Sequence, residues 1–345
     1  MRTRFARSIL VVVALAGVNG ASPALAQNTR PQKLPHTAVD HPDLVAASLA
    51  RFVSYSDVLI EVATGGVAKA YLAADVGQHG VVHDQMADGP LAVTWCGICN
   101  TGLVFGAEAK GQILHFDSEG IEGLVGGNEV FKDRETGSRW QQSTATAISG
   151  PLQGTQLELY PFIRTTWGEW KKQYPKTLVL KPLPGHAERL PVINKIIDET
   201  RIGVGPAPAG AFGHDDRLRP RETVAGLEIG GEAAAVPFSV LRTVRVVNEN
   251  VGGAPILIIH QPSSDTTTAF EARLKERALR FRAADKEASR LVDLETNSTW
   301  NAYGLCLSGP LKGARLKAVI LVPEFWFAWS EVHPKTKVYN PGGNH

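Results

Sequence analysis

The chain has 345 residues, with 36 Lys and Arg against 34 Asp and Glu, a formal net charge of +2. That balance gives no argument for nucleic acid or a membrane surface as a partner. Three cysteines are too few for a disulfide framework, and 34 Gly with 21 Pro suggest many turns between strands.

Residues 1–26 read as a secretory signal. Arg2, Arg4 and Arg7 precede an apolar core, Ile9 to Val18, and Ala24-Leu25-Ala26 is a cleavage pattern. The apolar core is too short to span a bilayer, and no later run approaches the roughly 20 apolar residues a spanning helix needs. The mature chain is expected to start near Gln27 and to be exported, into the periplasm if the host is a diderm bacterium. Such a compartment is oxidising. Residues 27–54 read as a tail followed by a short helix over His41–Phe52, with Pro42 at its first position.

The body of the chain carries an internal repeat. Asp133-Arg-Glu-Thr-Gly-Ser-Arg-Trp140 recurs as Asp293-Leu-Glu-Thr-Asn-Ser-Thr-Trp300, and Ser149-Gly-Pro-Leu-Gln-Gly154 as Ser308-Gly-Pro-Leu-Lys-Gly313. Trp167-x-x-Trp170 with Pro175-Lys-Thr recurs as Trp326-x-x-Trp329 with Pro334-Lys-Thr. Fainter matches precede them: Gly65-Gly66 with Gly230-Gly231, Phe105 with Phe270, and Phe116 with Phe281. The predicted organisation is a first repeat over 55–182, a linker over 183–219 rich in Pro, Gly and charge, and a second, degenerate repeat over 220–341. The predicted fold class is mainly β with a few short helices, as duplicated β-rich units related by a pseudo-two-fold.

Within each repeat, Ala92-Val-Thr-Trp95 and Ile256-Leu-Ile-Ile259 read as buried strands. Thr166–Tyr174 and Glu324–Val332 read as short helices, with Thr166 as a cap, Pro175 as a stop and the tryptophans packed into the core. Phe270–Phe281 has a helix-forming composition, but its partner Phe105–Phe116 carries Gly106 and Lys110-Gly111. A hairpin is predicted for both, because tertiary context outranks propensity. Asp133 and Asp293 are expected to cap turns. Cys306 is expected to be a buried free thiol and His115 a surface or packed histidine, while His214-Asp-Asp216 reads as a solvated loop.

The chemistry concentrates in Trp95-Cys-Gly-Ile-Cys-Asn100, a C-x-x-C between two predicted strands, with His79, His83 and Asp84 upstream. Their second-repeat counterparts are Val244, Asn248, Glu249, Gln261 and Ser264, with His260 one position from the counterpart of Cys96. The soft ligands thus occur in only one copy, which favours function over a structural staple. Cys96, Cys99 and His79, with His83 ranked lower, form a candidate site for zinc or reduced copper. A thiol–disulfide centre is the first alternative, although the pair lacks the helix N-terminus that usually activates such a thiol. A non-catalytic binding module with a structural Cys pair is the second. The expected partner is a metal ion or small-molecule ligand. No phosphate loop or Ser-His-Asp spacing stands out, Gly203-Val-Gly205 and Gly252-Gly253 being too weak.

His79-Gly-Val-Val-His-Asp84, Pro90 to Phe105, Asp133–Trp140, Gly150-Pro-Leu-Gln-Gly154 and Trp167-Gly-Glu-Trp170 together resemble the bacterial domain-of-unknown-function family 3179. The family pattern is a His-Glu-x-x-Asn-Asp block before Cys-Pro-x-Cys, and the resemblance implies no established activity. Gly97 stands where the family usually has Pro, and His83 where it usually has Asn.

Overall fold

The protein is described by a computed structural model over residues 37–203 and 215–341. The expected signal segment, 1–26, and His214 lie outside the described residues. The chain is mainly β, with short helices α1 (Ala73–His79), α2 (Trp167–Gln173), α4 (Phe238–Val244) and α5 (Trp326–Val332) and a longer α3 (His186–Ile202). Among the described residues no helix is long and apolar enough to cross a membrane.

Elements follow one another in the same order twice. In the first copy a hairpin, Val58–Thr64 and Val67–Leu72, runs into α1 and then the meander Val81–Met86, Gly89–Cys96 and Thr101–Gly106. In the second, Thr223–Ile229 and Glu232–Pro237 run into α4 and then Val246–Val251, Ala254–Gln261 and Thr266–Glu271. Strand pairing repeats too. Val58–Thr64 lies between Val67–Leu72 and Ile163–Thr166, as Thr223–Ile229 lies between Glu232–Pro237 and Val322–Phe325. Each first hairpin also gains a parallel strand from just beyond its tryptophan helix, Leu178–Leu180 or Lys337–Val338. Both copies belong to one compact unit. Each copy's late strand lies against the other's meander: Ile163–Thr166 against Thr266–Glu271, and Val322–Phe325 against Thr101–Gly106.

The repeated sequence blocks have a common physical basis. Asp133 is buried and accepts hydrogen bonds from the Thr136 amide and hydroxyl and, at 2.8 Å, from the Trp140 indole N–H. Asp293 does the same for Thr296 and, at 2.9 Å, for Trp300. Both aspartates therefore close a turn and satisfy a buried indole, which would otherwise be a costly unpaired donor. The Ser-Gly-Pro-Leu blocks pack onto these turns. A Cβ on Gly150 would sit 2.6 Å from Ser138 Cα, and one on Gly309 2.8 Å from Ser298 Cα. Only glycine permits that approach, and both positions have φ of +93°.

Trp140 and Trp300 occupy matching buried places, each meeting a phenylalanine edge-on, Phe116 at 5.9 Å and Phe281 at 5.6 Å between ring centroids. Trp167, Trp170, Trp326 and Trp329 are all buried, as predicted. The contested segment is a hairpin, with Arg273-Leu274 paired to Arg277-Ala278, so burial and pairing override helix propensity there. Cys306 is buried and free and faces Trp300 across the sheet, where the first copy has Ala147 against Trp140.

Some expectations are corrected. The segment His41–Phe52 is not a helix: Leu44–Ala46 adds as an antiparallel strand to Leu178–Leu180, followed by turns. An available sheet edge satisfies this backbone and outweighs its spacing. Thr166 precedes α2 without a side-chain cap; the first amides of the helix donate instead to Asp57 O and Tyr55 O. The helix predicted from Glu324 begins at Trp326, because Glu324 and Phe325 complete a strand. The linker carries the 17-residue α3, which packs on α1 and buries Ile197 although Pro191 lies inside it.

Candidate functional site

Cys96 ends the strand Gly89–Cys96 and pairs with Thr101, so Gly97-Ile98-Cys99-Asn100 is the loop of a tight hairpin. Gly97 is closely packed. A Cβ there would lie 2.9 Å from Ile196 Cγ2 of α3 and 3.1 Å from the Trp95 ring. Asn100 closes the loop in the left-handed region, φ 58°, which asparagine tolerates better than most residues. Its side chain is buried and accepts from Arg164 Nη1 at 2.6 Å.

The loop is clamped by the second copy. Phe325 N–H donates to Cys99 O at 2.9 Å. Glu324 is fully buried and accepts from the Thr101 hydroxyl at 2.7 Å, the Ser143 hydroxyl at 3.0 Å and the Asn128 amide. Burial pushes its carboxyl up to about 7, against the lowering effect of those donors. Phe325, Phe327 and Ala328 form an apolar cover over both cysteines.

The two thiols meet under this cover and are free. Cys99 has no exposed surface and Cys96 retains 5%. The hydrogen bond with Cys99, burial and the charge of Glu129 all push the Cys96 thiol well above its ordinary range. Glu129 itself is buried just before the strand Val130–Asp133. Burial pushes its carboxyl up to about 7, while hydrogen bonds from the Ser118 hydroxyl and Cys96 pull the other way. The centre is therefore two thiols and an acid–base group that titrates near neutrality.

The two predicted histidines are engaged elsewhere. His79, the last residue of α1, has Nδ1 2.8 Å from Thr37 O and Nε2 3.0 Å from the Gln78 side-chain amide. His83 Nε2 accepts the Phe116 amide at 2.8 Å, so Nδ1 carries the proton and donates to Asp40 at 2.9 Å. Burial lowers the His83 pKa to about 4. His83 instead borders an open cleft of about 680 Å³ with Asp40, His41, Asp84 and His115. Among the described residues, no three His, Cys, Asp or Glu side chains are grouped as a metal ion's ligands would be.

Sequence reasoning missed Glu129. It lies far from the C-x-x-C in sequence, and no local pattern links the two. Comparing the copies would have exposed it: the strand after Glu129 matches Arg290–Asp293, which sets Ser289 opposite Glu129. Like the C-x-x-C pair, the carboxyl is confined to the first copy.

The fold and centre together define a mainly β protein with one buried dithiol. The chain belongs to the family described as proteins of unknown function, DUF3179, whose family model matches residues 32–336. No curated protein and no solved structure matches the chain significantly.

Proposed function

We propose that this protein is a thiol–disulfide redox protein whose working pair is Cys96 and Cys99 and whose proton acceptor is Glu129. The observation that carries this reading is a pair of free thiols buried together, with the buried Glu129 carboxyl acting on Cys96. Exchange requires a thiolate, and burial opposes one. A carboxyl beside the sulfur supplies the missing base without a helix N-terminus.

The co-reactant is a disulfide of a thiol compound or protein, R–S–S–R. Glu129 takes the Cys96 proton, Cys96 sulfur attacks one partner sulfur, and the other leaves as a thiolate that collects that proton. Cys99 then attacks Cys96 of the mixed disulfide, and the second partner thiol departs with the Cys99 proton. Two electrons and two protons pass to R–S–S–R, giving two R–SH. Cys96 holds the small exposed surface, so it meets the partner and Cys99 resolves. Export to an oxidising compartment, read from residues 1–26, belongs to the same proposal.

A second reading keeps zinc or reduced copper at the pair. It is favoured by the convergence of both sulfurs, which are ligands those ions prefer. His79 and His83 would join only by giving up the hydrogen bonds they make.

Thiol counting and elemental analysis of the purified full chain, followed by titration in glutathione redox buffers, separates these readings. The redox reading expects two thiols that oxidise together, no stoichiometric metal, and slower exchange for Glu129→Gln at pH 7. Stoichiometric zinc or copper with unreactive thiols establishes the second reading. A thiol pair that neither oxidises nor holds metal defeats both.

A further inference from the structure

Buried carboxyls recur in this fold, but one lacks what the others have. Glu324 has three side-chain donors, and Glu129 has Ser118 and Cys96. Glu61, on the strand Val58–Thr64, is 0% exposed, and neither carboxylate oxygen has a hydrogen-bond partner. Burial drives the Glu61 carboxyl well above its usual range, and the nearby Thr165 backbone, outside hydrogen-bond geometry, acts the other way without offsetting it.

Glu61 lines a cavity of about 190 Å³ formed by both copies. Its walls include Phe162, Trp170, Tyr174 and Tyr303. The Trp170 and Tyr174 rings lie 4.0 Å apart, and Tyr303 meets Tyr174 edge-on at 6.5 Å. The Tyr303 hydroxyl is near the Glu61 and Glu169 carboxylates but also lacks a hydrogen-bond partner. Arg315 lies on the lining too, but it is exposed, so water screens its charge.

The second copy fills the equivalent place. Gly226 holds the position of Glu61 in the strand Thr223–Ile229, and a Cβ there would collide with the ring of Trp329, the counterpart of Trp170. The acid and its space therefore belong to one copy only. A carboxyl left unpaired in an aromatic enclosure is destabilising unless a donor arrives. Aromatic faces attract cations, so the donor they favour is an ammonium group.

We propose that this cavity between the copies binds a small organic ammonium ion, its N–H donors on Glu61 and its apolar portion against Phe162, Trp170 and Tyr174. Size sets the class: a cavity of about 150 Å³ accepts a benzene-sized molecule. The site is independent of the thiol pair.

Isothermal titration of the full chain with benzylamine and with benzyl alcohol, its neutral counterpart of similar shape, tests the assignment. Benzylamine is expected to bind at least roughly tenfold more tightly, the difference between a charge-assisted and a neutral hydrogen bond. Glu61→Gln should remove that preference, because the amide keeps the shape and cannot ionise against the ammonium group. Equal affinity for the two probes, no binding of benzylamine, or a preference retained in E61Q overturns the proposal. If E61Q fails to fold by circular dichroism, Ala269→Leu replaces it. Ala269 lines the same cavity from the strand Thr266–Glu271, so added bulk there should abolish benzylamine binding, and unchanged binding overturns the site.

Discussion

Replacing Glu324 by Gln should change how stability depends on pH. The carboxyl titrates near 7 in the folded chain, against 4.5 for an unperturbed glutamate. Its folded pKa is raised, so the folded state binds more protons between those values. The contribution is therefore fully present below pH 4.5 and is lost as pH rises through 7. Between pH 5 and pH 8 the loss is on the order of 2–3 kcal/mol. Glutamine cannot titrate. Its amide retains an acceptor for Thr101 and Asn128 and can donate to Ser143, whose hydroxyl also accepts. Urea unfolding of wild type and E324Q at both pH values measures the effect, through midpoints at constant m. The variant should gain on wild type by about that amount at pH 8 relative to pH 5. Parallel stability curves for the two proteins would refute the reasoning, because Glu324 would then titrate alike in both states.

Asp133→Ala and Asp293→Ala should each destabilise by about 3–5 kcal/mol, since each strands a buried indole N–H and undoes a turn; thermal unfolding measures this, and a loss below about 1 kcal/mol refutes the shared role of the aspartates. Gly97→Ala should lower stability by about 1–3 kcal/mol through collision with Ile196, and the added change Ile196→Ala should recover part of that loss in a double-mutant cycle.

Much of this architecture was legible because the sequence repeats. The register that placed Gln261 opposite Cys96 is the one observed, since both residues end matching strands. The same register identified the hairpin at Phe270–Phe281 against its local propensity. Features without a second copy were harder to read. Ile193, Ile196, Ile197 and Thr200 have helical spacing, but Pro191 and the surrounding Pro and Gly made α3 look like a linker. His83 resembled a ligand because its residue type suits metals; the competing claims of Phe116 N–H and Asp40 exist only in three dimensions. The meeting of Glu129 with Cys96 likewise depends on how one sheet lies against the next, which residue spacing does not encode.

The clamp on the cysteine hairpin also has a consequence in time. Thr101 and Glu324 are 223 positions apart, which at about 5–20 residues per second separates their synthesis by roughly ten to forty-five seconds. Throughout that interval the hairpin lacks Phe325, Phe327 and Ala328, the apolar cover of its sulfurs. Until the second copy docks, both sulfurs lack the apolar cover that leaves Cys96 only 5% exposed in the folded chain.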